Sequence, residues 1–297
     1  MRYILGGIIM NMNNIKTVML MVLMAVIMML IGGLVGGRTG LTIMLFFSIA
    51  MNLYSYWCSD SLVLRWSGAQ EVTREEAPQL YALVENLANR AGLPMPKVCI
   101  IDADEPNAFA TGRNPNHAAV AVTTGIMRVL DYNEISGVLA HELAHVKNRD
   151  ILTSTIASMM ATVISYAAQF FMFFGGSSDD DDGVNPIAAI AMMILAPIAA
   201  MLIQMAISRS REYEADHDGG EICGNPNYLA DGLEKIEYYV THSQETLPSA
   251  KPATANMYIV NPFEGTGKAL TKLFSTHPDT AERIARLREQ AREMRVR

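Results

Sequence analysis

Four long runs without a single charged side chain constrain this chain more than any other feature. They cover residues 18–37, 41–58, 151–175 and 184–208 of a 297-residue sequence. A helix needs about 20 apolar residues to cross a bilayer, so each run predicts a membrane span. The second closes on Tyr54, Tyr56 and Trp57 and the third on Phe170, Phe171, Phe173 and Phe174, aromatics that suit a membrane interface. Pro186 and Pro197 fall inside the fourth run; proline is tolerated in membrane helices when neighbours satisfy the freed carbonyl. A buried helical hairpin in a soluble core is the alternative for the last two runs, and their length and lack of charge argue against it. A cleaved leader fits poorly, because the first run is long and a second follows at once.

Basic residues set the expected orientation. Arg2 and Lys16 precede the first run, Arg65 and Arg74 follow the second, Lys147 and Arg149 precede the third, and Arg209 and Arg211 follow the fourth. The turn between the last two reads GGSSDDDDGV and has no basic residue. The positive-inside rule puts both termini and the polar segments in the cytoplasm. The acidic turn lacks EF-hand spacing and is read as solvated rather than as a calcium loop. The formal net charge of −7 offers no basic surface for nucleic acid. Cys58, Cys99 and Cys223 are too scattered to form a framework, so they are expected to be reduced and structural.

The polar segments carry a small mixed fold. REEAPQLYALVENLANRAG has helical periodicity, with Pro78 near its start and Gly92 at its end. PKVCIID and NHAAVAVTTG read as strands of a small sheet. A helix follows in DYNEISGVLAHELAHVKNRD, capped by Asp131 or Asn133, with Asp131 and Glu134 at capping-box spacing. Its proximity to residue 151 suggests that it continues into the third apolar run. Farther on, REYEADHDGGE looks helical up to Gly219 and Gly220, PNYLADGLEKIEYYV is amphipathic, and HPDTAERIARLREQAREMR closes the chain as a helix starting at Pro278. Residues 241–269 read as irregular.

The central helix holds His141-Glu142-x-x-His145. Residues four apart share a helix face, so both imidazoles can meet one ion. Catalytic zinc takes such nitrogens and leaves a position for water. The metal lowers the water's pKa to about 7, so Glu142 can serve as general base at neutral pH. This is the metalloprotease motif; two solvated histidines on a surface helix are the plain alternative. Position 151 is Ile rather than His, which excludes the metzincin pattern. A third ligand is sought in SRSREYEADHD, which offers Glu212, Glu214, Asp216, His217 and Asp218. Glu212 and Asp216 share a helix face, so one can ligate the metal while the other holds a ligand histidine from behind. Spacing alone leaves the choice among these acids open.

NAFATG at 107–112, LAHELAHVKNRD at 139–150, SRSREYEAD at 208–216 and STHPDTAERIARL at 275–287, in this order and flanked by four apolar runs, resemble the HtpX family of membrane zinc metalloproteases. These are relatives of the CAAX prenyl endopeptidases. The resemblance spans nearly the whole chain. It implies a mainly α fold with a small β-sheet, four transmembrane helices and a gluzincin-type protease domain with one Zn2+ per chain. It implies Glu212 as third ligand and Asp216 behind a ligand histidine. It also implies that Asn107, Ala108 and Ala110 pair with an extended substrate. His277 resembles a histidine that steadies the tetrahedral intermediate, and a helix-capping role is equally open for it. Arg283 is expected to orient the site's carboxylates. The expected division is 1–58 for two membrane helices, 59–150 for the first part of the protease domain, 151–208 for a membrane hairpin, and 209–297 for the part bearing the third ligand.

Together these readings predict a multi-pass endopeptidase of the cell (inner or plasma) membrane with its site in the cytoplasm. Its expected partners are polypeptide substrates, membrane proteins above all, and the lipid bilayer. The resemblance implies a role in clearing misfolded or damaged membrane proteins. Two rivals are a narrow processing peptidase of the prenyl-protease type and a non-catalytic membrane scaffold stabilised by metal.

Overall fold

The computed structural model describes residues 2–5, 8–57, 59–156, 209–242 and 278–296. Most of the third apolar run, the acidic turn, the fourth run, nearly all of residues 241–269, and His277 lie outside the described residues.

A short hairpin, β1 (Arg2–Leu5) with β2 (Ile8–Asn11), precedes α1 (Met12–Trp57). α1 is helical over its whole range but not straight. Asn52 Nδ2 donates to the Met21 carbonyl at 3.1 Å, although the two are 31 residues apart. A straight helix rising 1.5 Å per residue would separate them by about 46 Å. The helix therefore folds back, and the turn falls at Gly37, whose φ of 56° is in the left-handed region open to glycine. Its two arms are the first two apolar runs. They expose Val18, Val22, Leu30, Ile43, Phe46 and Leu53, among other large apolar side chains. Taking length and hydropathy together, no helix among the described residues qualifies as a membrane span, although the uncharged residues 18–37 lie within α1.

Beyond α2 (Ser59–Trp66), a four-stranded mixed sheet is ordered β3-β4-β6-β5. Its strands are β3 (Gln70–Glu71), β4 (Lys97–Ile101), β5 (Ala108–Gly112) and β6 (Ala118–Thr123). β4 and β6, the two strands read from sequence, run parallel, and β5 closes the sheet antiparallel to β6 as an edge. The period of two separates the faces. Val98, Val120 and Val122 join the main helical core, whereas Cys99, Ile101, Phe109 and Ala121 pack around Val63 of α2. Cys99 and Cys223 are free and buried, as expected.

The helices follow the sequence signals closely. α3 (Pro78–Ala91) has proline in its first turn and ends at Gly92 with φ 68°. After α4 (Thr124–Val129), the motif helix α5 (Tyr132–Asn148) starts with a complete capping box between Asp131 and Glu134. α5 is the central element and touches α3, β5, α6 (Arg209–Cys223) and α7 (Asn227–His242). α8 (Thr280–Val296) packs against α6 and α7.

Three boundaries differ from expectation. α5 does not run on into residue 151. It ends at Arg149, whose φ of 61° is the only positive value at a non-glycine among the described residues, and a new helical stretch begins at Ile151. Gly219 and Gly220 do not stop α6, which continues to Cys223 and ends before Gly224 with φ 84°. They are glycines because neighbours crowd them: a Cβ on Gly219 would lie 2.9 Å from His141 Cα, and one on Gly220 would lie 2.7 Å from Gln290 Oε1. α8 begins at Thr280, capped by Asp279 Oδ1 accepting from the Ala281 N–H at 2.8 Å, so Pro278 lies ahead of the cap.

Candidate metal and catalytic site

The site forms where α5 and α6 cross. The crossing is close because α6 presents Gly219 to the backbone of α5 at His141. It brings three donors together: His141 Nε2 and His145 Nε2 are 3.2 Å apart, Glu212 Oε2 is 3.7 Å from the first, and Glu212 Oε1 is 3.5 Å from the second. Zinc with bonds of about 2.0–2.1 Å in a tetrahedral shell spaces its ligand atoms by about 3.3 Å. The donor set is also the right one, two imidazoles and a carboxylate. These residues fit a zinc ion, and Glu212, rather than Glu214 or Asp218, is the acid grouped with both histidines.

Each ligand histidine is supported on its other nitrogen. Asp216 Oδ1 lies 2.9 Å from His141 Nδ1. Arg283 of α8 grips the same carboxylate with two donors, Nε to Oδ2 at 2.9 Å and Nη2 to Oδ1 at 2.7 Å. Burial opposes ionisation of Asp216, but the Arg283 guanidinium wins and holds its carboxyl well below the usual carboxylate range. Asp216 and Arg283, the residues expected in supporting roles, thus lie together beside His141. Asp150, whose Oδ2 lies 3.3 Å from His145 Nδ1, was not among the expected residues.

Glu142 faces the sheet. Its Oε2 accepts the Ala110 N–H of edge strand β5 at 2.9 Å. Burial pushes the Glu142 carboxyl above its ordinary pKa, against the pull of His141, His145 and the Ala110 N–H. A carboxyl so shifted is better matched to taking a proton near neutrality. The strand's polarity is also fixed. Asn107 donates its N–H to Thr123 Oγ1 and accepts the Thr123 N–H, both at 2.9 Å, so its main chain faces β6. Alternation along an antiparallel strand then turns the main-chain groups of Ala108 and Ala110 toward the free edge. Asn107 thus anchors the strand, and its main chain is not available to pair with a peptide in the way expected of it.

Two predictions arise from this geometry. A methyl group at position 219 has no room against the α5 backbone, so Gly219→Ala forces the helices apart and moves Glu212 away from the histidines. Overpacking of this kind costs about 1–3 kcal/mol. Unfolding of the zinc-free protein and zinc titration should both register it, and unchanged values would contradict the close crossing. The second concerns pH. Burial alone would lower the His145 pKa, but the Glu212, Asp150 and Glu142 carboxylates push it up to about 9 in the metal-free protein. A ligand imidazole must be neutral, so below that value zinc has to displace a proton. Affinity should therefore climb by up to about tenfold per pH unit until near pH 9. Calorimetry at pH 7 in buffers of different ionisation enthalpy should show proton release, and buffer-independent heats would contradict it.

The profile of Peptidase family M48 matches residues 74–291. A Protease HtpX homolog of Burkholderia multivorans is 57% identical over 280 residues, covering 94% of this chain and 98% of the relative. One from Ralstonia pickettii is 55% identical over 279 residues, covering 94% and 97%. The crystal structure of S. mikatae Ste24p shares the fold, with a TM-score of 0.52 at 19% identity, and the match covers 92% of this chain and 64% of that longer one. With the ligand cluster, the neighbouring glutamate and these matches in place, the chain belongs to peptidase family M48 and is a metalloprotease.

Proposed function

We propose that this chain is an integral membrane zinc endopeptidase that cleaves misfolded or damaged membrane proteins from the cytoplasmic face of the cell membrane. His141, His145 and Glu212 would hold the Zn2+, one ion per chain. The observation that carries the reading is Glu142, which stands beside the ligand cluster and contacts the edge strand through Ala110. Bound zinc supplies a Lewis acid that polarises the scissile carbonyl and eases deprotonation of water. Glu142 takes the proton as the water oxygen bonds to the carbonyl carbon. It returns that proton to the amide nitrogen as the C–N bond breaks, releasing a carboxylic acid and an amine, and the acid's remaining proton passes to the amine to leave a carboxylate and an ammonium group. Ala108 and Ala110 offer the free edge to which an extended substrate adds as a strand. Ala110's N–H must exchange Glu142 for the peptide when it does so. His277 keeps its proposed part in steadying the tetrahedral intermediate.

Four membrane helices would divide the chain at the boundaries 58, 150 and 208, leaving residues 59–150 and 209–297 to build one protease domain. Support for the membrane reading comes from the uncharged runs and from the outward apolar side chains of the α1 arms. A contiguous apolar surface on a soluble protein is a liability unless covered. Purified chain reconstituted in lipid vesicles, given one membrane protein in native and in destabilised form, tests the role. Faster hydrolysis of the destabilised form is expected. Equal rates, or cleavage confined to prenylated peptides, would contradict the quality-control assignment.

A further inference from the structure

We propose that Asp150 is a positioning residue for the ligand His145, delivered to it by the left-handed turn at Arg149 and held in place by Arg211. The inference rests on the zinc reading above and adds to it. In an unbroken helix Asp150, five residues after His145, would sit about 140° around the axis and could not reach the imidazole. The break at Arg149 reverses that. The Arg149 N–H turns back to the carbonyls of His145 and Val146, the Asp150 N–H donates to the His145 carbonyl at 3.0 Å, and the chain folds over the end of α5. Asp150 Oδ2 then reaches His145 Nδ1 at 3.3 Å. Its other oxygen, Oδ1, lies 3.5 Å from Arg211 Nη1. Asp150 is buried, and Arg211 is nearly so.

The result repeats the arrangement on the first histidine. His141 is backed by Asp216 and Arg283, and His145 by Asp150 and Arg211. A carboxylate on Nδ1 fixes the tautomer, so Nε2 presents its lone pair to the metal and the ring cannot swing away. Arg211 also immediately precedes ligand Glu212 in the chain. The same contact therefore ties the first turn of α6 to the end of α5, at the points where the chain enters and leaves residues 151–208.

The test uses full-length protein in detergent, as wild type, Asp150→Ala and Asp150→Asn. Zinc affinity is read by competition with a chromophoric chelator, and ligand geometry by the visible spectrum of the cobalt-substituted protein. Loss of such a supporting carboxylate typically weakens metal binding about 10–100-fold. That loss, with an altered cobalt spectrum, is expected for Asp150→Ala. Asp150→Asn keeps an oxygen that accepts the Nδ1–H, so it should bind within a few-fold of wild type and restore the spectrum. Wild-type affinity and spectrum in Asp150→Ala would overturn the proposal. So would an Asn variant as weak as the Ala variant, because charge rather than orientation would then be at work. Should Asp150→Ala not fold, Asp150→Ser, too short to reach His145, replaces it. A wild-type protein that binds no stoichiometric zinc would count against the metalloenzyme reading itself, a separate outcome from either of these.

Discussion

Glu142→Gln is expected to keep the fold and the metal and to lose peptide hydrolysis by about 10²–10⁴-fold in kcat, the usual worth of a general base. The substitution changes almost nothing else. Glutamine has the same shape, and its amide oxygen can still accept the Ala110 N–H that Glu142 now accepts at 2.9 Å. Glu142 is not among the three donors that converge on the metal position, so zinc affinity should stay close to wild type. The group lost is the one that can take a proton from water and return it to the leaving nitrogen. KM should change little, since the strand that receives the substrate is untouched. A variant that hydrolyses peptides at the wild-type rate would remove Glu142 from the mechanism.

Arg283→Ala is the second large effect, and it falls on stability. Arg283 is 1% exposed and spends two donors on the Asp216 carboxylate. Its removal leaves a buried carboxylate without its cation, and breaking such a pair from one side costs about 3–5 kcal/mol. The sign of the pH dependence follows from the depressed pKa of Asp216. In the wild type the pair's contribution is complete above the ordinary aspartate range and is lost only as pH falls through the lowered value. In Arg283→Ala the carboxyl has lost that pull, so acid protonates it sooner and the penalty shrinks as pH falls. Removing both partners, as in Asp216→Leu with Arg283→Met, leaves no buried charge and should cost less than the two single changes added together. Zinc affinity should still drop in the double variant, because His141 loses the carboxylate at its Nδ1. Unfolding in detergent, followed against denaturant at two pH values, checks both points. A single-variant loss under about 1 kcal/mol would contradict the buried-pair account.

The parts of the site that were legible in the sequence are those fixed by one helix alone. His141 and His145 share a face by spacing, and so do Glu212 and Asp216. Asp131 and Glu134 announced the start of α5, and Gly92 the end of α3. What spacing could not decide was which acid ligates; there the family resemblance chose Glu212, and Glu212 is the acid whose carboxylate lies near both histidines. The missed features depend on how elements approach each other. Gly219 looked like a helix stop because glycine is a poor helix former, whereas its role is to let His141's backbone come near. Asp150 lay where the motif helix was expected to run on into the third apolar run, and only the left-handed Arg149, a conformation unusual for any residue with a Cβ, carries it to His145. The contact between Glu142 and Ala110 joins residues 32 apart on different elements, and no local pattern encodes it. The two-residue β3 is too short to give a periodic signal.

The measurement that bears most directly on the account is zinc content per chain, taken with proteolysis on the same samples, for wild type and for His141→Ala, His145→Ala and Glu212→Ala. The account predicts one zinc in the wild type, removed along with casein-type cleavage by chelation and restored with it on adding zinc back. It predicts that each of the three variants loses both together. Full zinc occupancy and undiminished cleavage in Glu212→Ala, or in either histidine variant, would contradict it.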